Sequence, residues 1–232
     1  MQSISNMIRI AGTLAEASTT EYWSTQIKDR FGIVVKTDKN CGDSHILYRQ
    51  LFHILLPIPP ALVKDCGVLY ILFRSDMGLN RPEYPNHGYY NCNKSLVALN
   101  ADCFWHPDKP EDFFDHRGYF LTRAQQTVAH ELGHGADYNL GNLSMQPSWM
   151  SLSGWSETPK LGLVRLKIQD IGTPMVLGEM FYDPKAEFTR FYGKRNSYDD
   201  WADCFSFYVM GTKNKVPSEK RAYFDRLLSK YY

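Results

Sequence analysis

The spacing of hydrophobic and polar positions divides the chain into helical and extended segments. From Ser44 to Leu56, Ile46, Leu47, Leu51, Phe52, Leu55 and Leu56 recur at helical spacing, and Pro57, Pro59 and Pro60 end the run, which predicts a core helix. Val68 to Phe73 is a continuous apolar run between Gly67 and Arg74-Ser75-Asp76, the pattern of a strand buried on both faces and central in a sheet. Ser95 to Asn100 reads as a second strand, and Asn80 to Asn93, with its Pro, Gly and Asn, as the loop before it. A first helix should start near Thr19-Thr20-Glu21 and stop at Gly32, followed by a short β-branched strand at Ile33-Val34-Val35. Trp105 to Arg117 reads as a polar connection. Beyond it, Ala124, Val128, Leu132 and Ala136 form an apolar stripe on a helix opened by a capping box at Thr122-Arg123-Ala124-Gln125 and stopped at Gly141.

The second half is less regular. Ser144 to Trp155, with Trp149 and Trp155 flanking Leu152-Ser153-Gly154, shows no clear period, and Leu161 to Ile168 is expected to pair as a strand with Thr173 to Leu177. Ser197 to Met210 predicts a helix capped by Asn196 or Ser197 and stopped by Gly211, and Pro217-Ser218-Glu219 opens a last amphipathic helix. No repeat, low-complexity tract or linker interrupts the 232 residues, so a single domain is expected. Within it, residues 1–60 form a largely helical N-terminal part, 61–141 a sheet and the striped helix, and 142–232 a mainly helical C-terminal lobe.

Composition narrows the classes. Lys plus Arg number 26 against 25 Asp plus Glu, so no basic field recruits nucleic acid and no acidic block imitates it. Arg9 and Glu16 break any apolar run in Met1 to Ala17, so no signal peptide is read, and no stretch approaches the roughly 18 apolar residues of a membrane span. A soluble protein, cytoplasmic by default, is the expectation, with export or incorporation into a virion by another route as the alternative. Cys41, Cys66, Cys92, Cys103 and Cys204 lack Cys-x-x-Cys spacing and read as reduced thiols, a Cys92–Cys103 disulfide being the alternative.

The striped helix carries the chemistry. It contains His130-Glu131-Leu132-Gly133-His134, and histidines four apart on a helix share a face, so both imidazoles can reach one zinc ion with Glu131 aimed at the fourth coordination position. At 100° per residue the two histidines fall roughly opposite the apolar stripe, which sends one face to the core and the other to a cleft. The plain alternative is a chance match, because short patterns recur in unrelated proteins. His45 and His53 read as structural, and His87, His106 and His116 as loop histidines. A catalytic zinc needs a third protein ligand. Asp199 and Asp203, four apart, share a face of the Ser197 helix with Ser206 and Met210, while Trp201, Phe205 and Tyr208 form a core stripe on the other side. Asp199 can bind the metal while Asp203 accepts the outer N–H of a ligand histidine. Alternatively both acids merely decorate a helix start, and Glu179, Asp183 and Glu187 compete as third ligands.

The segment from Phe191 to Phe205, with Tyr192 seven residues before Asp199 and with Ala202 and Phe205 in matching positions, resembles the Tyr…Glu-Phe-Phe-Ala-Glu segment of metallopeptidases related to the anthrax lethal factor catalytic domain and the clostridial Pro-Pro endopeptidases. The resemblance covers this segment and the histidine helix, with a similar order of elements from Val68 to Tyr208. It implies an α+β, zincin-like metalloprotease fold: a small mixed sheet with an edge strand above the active-site helix, followed by a mainly helical C-terminal lobe carrying the third ligand. The chain has Asp at 199 and 203 where the family has Glu, so the helix must approach the metal more closely or Asp199 must bind differently.

The expected activity is that of a zinc-dependent endopeptidase with one catalytic Zn2+ held by His130, His134 and Asp199, Glu131 as general base and acid, and a protein or peptide as substrate, without nucleic acid or membrane partners. The resemblance further implies that Tyr192 donates a hydrogen bond to the oxyanion. The strand Leu96 to Asn100 is expected to be the sheet edge that takes up substrate backbone. Three other readings keep part of this chemistry: a non-peptidase zinc hydrolase, a catalytically inactive zincin-like component of a larger assembly such as a phage particle, and a SprT-like protease near DNA, for which the charge balance lacks a basic face.

Overall fold

The computed structural model describes residues 19–77, 87–105, 121–169 and 176–232. The expectations for Met1 to Ala17, His106 and His116 fall outside these residues, as do most of the Trp105 to Arg117 connection and Asn80 to Asn86 of the predicted loop.

The protein is a mixture of helices and two small sheets. Helix α1 (Thr20–Phe31) is capped by the Thr19 hydroxyl and stopped by Gly32, and β1 (Val34–Thr37) follows. Helix α2 (Ser44–Leu55), whose N-terminus is capped by Asp43, and the short α3 (Pro60–Asp65) lead to β2 (Tyr70–Arg74). Then come β3 (Gly88–Asn91), β4 (Leu96–Asn100) and a single turn, α4 (Asp102–Trp105). The first sheet runs β1-β2-β4-β3, with β1, β2 and β4 parallel and β3 antiparallel to β4.

Two expectations change here. Leu96–Asn100 is interior, flanked by β2 and β3, and the edge on that side of the sheet is instead Gly88–Asn91, from the segment read as a loop. Its composition misleads because an edge strand satisfies one ladder only and tolerates Gly and Asn that an interior strand excludes. The apolar run of β2 is central in the sheet, but Tyr70 is 42% exposed and Leu72 half-buried, because the helices cover one sheet face and leave the other open.

Helix α5 (Arg123–Asn139) lies on the covered face, opened by the reciprocal capping box of Thr122 and Gln125. After it come α6 (Pro147–Ser153), within the stretch that has no sequence period, and an antiparallel sheet ordered β5-β7-β6, made of β5 (Trp155–Ser156), β6 (Val164–Gln169) and β7 (Val176–Tyr182). Thr173 to Met175 of the expected pairing lie outside the described residues, and β7 runs on to Tyr182, where it also pairs with β5. Helix α7 (Ser197–Val209) packs along α5, and α8 (Ser218–Leu228) closes the other side.

One hydrophobic core runs from Ile27 on α1 through Leu51, Phe73, Val128 and Trp201 to Phe224 on α8. Trp201 and Phe205 stack with centroids 5.4 Å apart, and Phe224 packs 5.0 Å from Trp201; burying a side chain of this size contributes on the order of 2–3 kcal/mol. A satellite cluster of Met150, Trp155, Met180 and Phe188 sits under the second sheet. The five cysteines are free thiols. No helix among the described residues is long and apolar enough to cross a membrane.

The contact between α5 and α7 is tight because Gly133 has no side chain: a Cβ there would lie 3.0 Å from the Ala202 Cα. Buried Asp137 ties the far end of α5 to the start of α7, accepting hydrogen bonds from Ser144 N and Oγ at 2.6 Å each, while Ser197 Oγ donates to the Ser144 carbonyl at 2.6 Å. The two helices are thereby fixed at the level of residues 130–134 and 197–203.

Candidate metal centre

His130 and His134 lie one turn apart on α5, and Asp199 comes from the first turn of α7. His130 Nε2 and His134 Nε2 are 3.1 Å apart, and Asp199 Oδ1 stands 3.5 Å from the first and 3.4 Å from the second. These three donors lie within 4.8 Å of one another and form the one such histidine and carboxylate group among the described residues. They could hold a metal ion. Asp199 has its second oxygen occupied, since Asn196 Nδ2 donates to Oδ2 at 2.8 Å while Asn196 Oδ1 accepts the Asp199 N–H at 2.7 Å. The helix cap therefore also orients the carboxylate.

Asp203 sits one turn deeper and accepts from His130 Nδ1 at 2.8 Å. That bond assigns the Nδ1 proton and leaves the Nε2 lone pair facing His134 and Asp199. The same Asp203 oxygen accepts from Arg190 at 2.7 Å and, at 3.5 Å, from Gln126 Nε2, which also donates to Ser206 Oγ at 2.8 Å. Burial disfavours the charged form of His130, but hydrogen bonds to Asp199 and Asp203 outweigh it and push its pKa up to about 9. Burial also works against the Asp199 carboxylate, yet the two histidines hold it well below the usual carboxylate range. The acceptors that favour a positive charge on His130 would favour a cation at the same place.

Glu131 is buried beside the histidines, and its Oε2 has no hydrogen-bond partner. Burial pushes its carboxyl up, against the pull of His134 and His130. Gly88 of β3 lies directly over it, because a Cβ at that position would be 3.0 Å from the Glu131 Cγ. The edge strand is thus held against Glu131. Tyr192, in a helical turn at Phe191–Arg195, sets its ring 5.5 Å from that of His130, edge to face. Burial raises the pKa of its phenol, so it stays a hydrogen-bond donor.

The other sequence candidates are elsewhere. Glu179 pairs with Arg165 on the exposed face of the second sheet, Asp183 caps the Lys185 N–H at 2.8 Å, and Glu187 is exposed. His87 contacts Cys103 Sγ through Nδ1 at 3.3 Å, and His53 packs against Trp23 at 5.6 Å. Both faces of α7 are buried: Asp199, Asp203 and Ser206 meet Gln126 and His130 of α5, while Trp201 and Phe205 pack with Phe224. Three residues of the centre escape the sequence reading. Gln126 is four before His130 on the same helix face and so was within reach of periodicity; Arg190 lies outside any regular element and carries no spacing signal; Asn196 shows in sequence as a cap but not as a carboxylate holder. No protein-family model and no curated protein matches the chain.

Proposed function

We propose that this chain is a zinc-dependent endopeptidase with a zincin-like arrangement of sheet and histidine helix. The observation that carries the reading is the donor triangle of His130, His134 and Asp199 with Glu131 beside it. Donors about 2.0–2.1 Å from a tetrahedral ion stand roughly 3.3 Å from one another, and two imidazoles with one carboxylate are a donor set typical of catalytic zinc. The separations of 3.1, 3.4 and 3.5 Å bracket that value. Calcium and magnesium are disfavoured, because both prefer sites built from oxygen.

When bound, zinc polarises the scissile carbonyl and lowers the pKa of water from 15.7 toward about 7. The remaining work belongs to the chain. Glu131, with an unpartnered buried oxygen and a carboxyl made more basic by burial, takes the proton from water and passes it to the leaving amine. Tyr192 donates its phenol proton in a hydrogen bond to the oxyanion, an interaction worth roughly 3 kcal/mol. Strand β3 offers its outer edge to substrate backbone, and the approach of Gly88 to Glu131 brings an added strand alongside the base. Asp203 holds the imidazole of His130 in one tautomer.

Elemental analysis of protein purified without chelator should find about one zinc per chain, and His130→Ala or His134→Ala should lose it. An unbiased peptide library should be cleaved by the wild type only. Failure to take up added zinc would overturn the reading.

A further inference from the structure

Arg190 belongs to no regular element and is exposed over only 13% of its side chain. A guanidinium is costly to bury unless its charge is answered and its face is covered. Both conditions are met here by residues of the centre. One of its terminal nitrogens lies 2.7 Å from Asp203 Oδ1, the same oxygen that accepts from His130 Nδ1 at 2.8 Å. Its guanidinium carbon stands 4.9 Å from the centre of the Tyr192 ring. Tyr192 in turn meets the His130 ring at 5.5 Å. The contacts close a circuit from His130 through Asp203 and Arg190 to Tyr192 and back to His130. Arg195 covers Tyr192 as well, at 4.6 Å, but it is 46% exposed and 4.0 Å from the outer oxygen of Asp199, so it lies outside the circuit.

We infer that Arg190 is a positioning residue that links metal capture by His130 to the placement of the Tyr192 phenol, through one shared oxygen of Asp203. The inference rests on the zinc reading above. A charge-assisted bond to Asp203 fixes where the guanidinium plane lies, and that plane is the surface against which the phenol ring rests. When His130 gives its Nε2 lone pair to a cation, its Nδ1–H becomes a stronger donor to Asp203. That changes the oxygen Arg190 holds, and the plane carrying Tyr192 shifts with it. Lysine could answer the charge of Asp203 but has no planar face for the ring.

The test is fluorine NMR on protein labelled with 3-fluorotyrosine, with the Tyr192 resonance assigned by its loss in Tyr192→Phe, recorded with and without zinc. Zinc affinity is measured in parallel by competition with a chromogenic chelator. In the wild type, zinc should move the Tyr192 resonance. In Arg190→Lys, zinc affinity should stay within about tenfold of wild type, less than the usual loss on removing a ligand's direct partner, while the Tyr192 resonance no longer responds to zinc. Arg190→Met should lose the response too, with weaker zinc binding. A Tyr192 response to zinc in Arg190→Lys equal to that of the wild type overturns the inference, because the ring contact with His130 would then suffice or charge alone would do. Should Arg190→Met fail to fold, the lysine variant still decides. A wild-type protein that takes up no zinc overturns the metal reading and this inference together, whereas zinc uptake with a tyrosine response indifferent to Arg190 overturns the inference alone.

Discussion

Asp199 and Asp200 are consecutive, buried and on the same helix, yet their surroundings differ in kind. Asp200 is saturated: Lys220 Nζ lies 2.8 Å from each of its oxygens, and Trp155 Nε1 donates to one at 3.1 Å. Lys220 is itself used up, donating to the Glu187 carbonyl at 2.7 Å and lying 4.6 Å over the Phe188 ring. Around Asp199 the partners are incomplete, with ring nitrogens at 3.4 and 3.5 Å and a neighbouring glutamate oxygen that has no partner. A buried charge whose capacity is met by fixed partners holds elements together; here it clamps α7 to α8 and to the segment at residues 187–188. A buried cluster whose donors face one point with capacity to spare is a place for something else.

This contrast can be broken from either side. The largest effect is expected at Glu131. Glu131→Gln should keep fold and zinc, because it removes neither a donor nor volume, while peptide cleavage falls by about 10²–10⁴-fold. Near wild-type turnover in that variant would remove Glu131 from the mechanism. On the structural side, Lys220→Met strands the Asp200 charge in the core and should cost about 3–5 kcal/mol in urea denaturation. Most of that should return in the Asp200→Asn, Lys220→Met double variant, where no charge is left and Trp155 keeps an acceptor. If the single variant is as stable as the wild type, the Asp200 pair is not the clamp described. The smallest effect sharpens the difference between two acids one turn apart. Asp203→Ala should weaken zinc binding by only about 10 to 100-fold in chelator competition, the usual range for a ligand's partner, whereas Asp199→Ala should leave two histidines and far weaker binding. The reverse order would reassign the third ligand to Asp203.

Much of this was legible in the sequence where a local rule governs. The helix of His130 and His134 follows from a four-residue repeat and a capping box, and Asp199 and Asp203 from a shared helix face with Tyr192 seven residues before the first of them. What could not be read depends on contacts distant in sequence. Gly88–Asn91 looks like a loop because the ladder that makes it a strand is supplied by β4. Arg190 has meaning only through Asp203 and Tyr192, and Lys220 only through Asp200, a partner 20 residues away. The exposed side of β2 was hidden for the same reason: a run of apolar residues does not say which face the helices will cover.

The absent side chain at Gly133 works as a spacer gauge. With a Cβ there held off the Ala202 backbone by only 3.0 Å, the distance between α5 and α7 is set by the smallest residue available, and the reach of the acid at 199 is set with it. Across that gap Asp199 Oδ1 stands 3.4 and 3.5 Å from the two histidine nitrogens. A methyl group at 133 would press on the Ala202 backbone until the helices gave by a few tenths of an ångström, so a residue that touches no donor still tunes the size of the donor triangle.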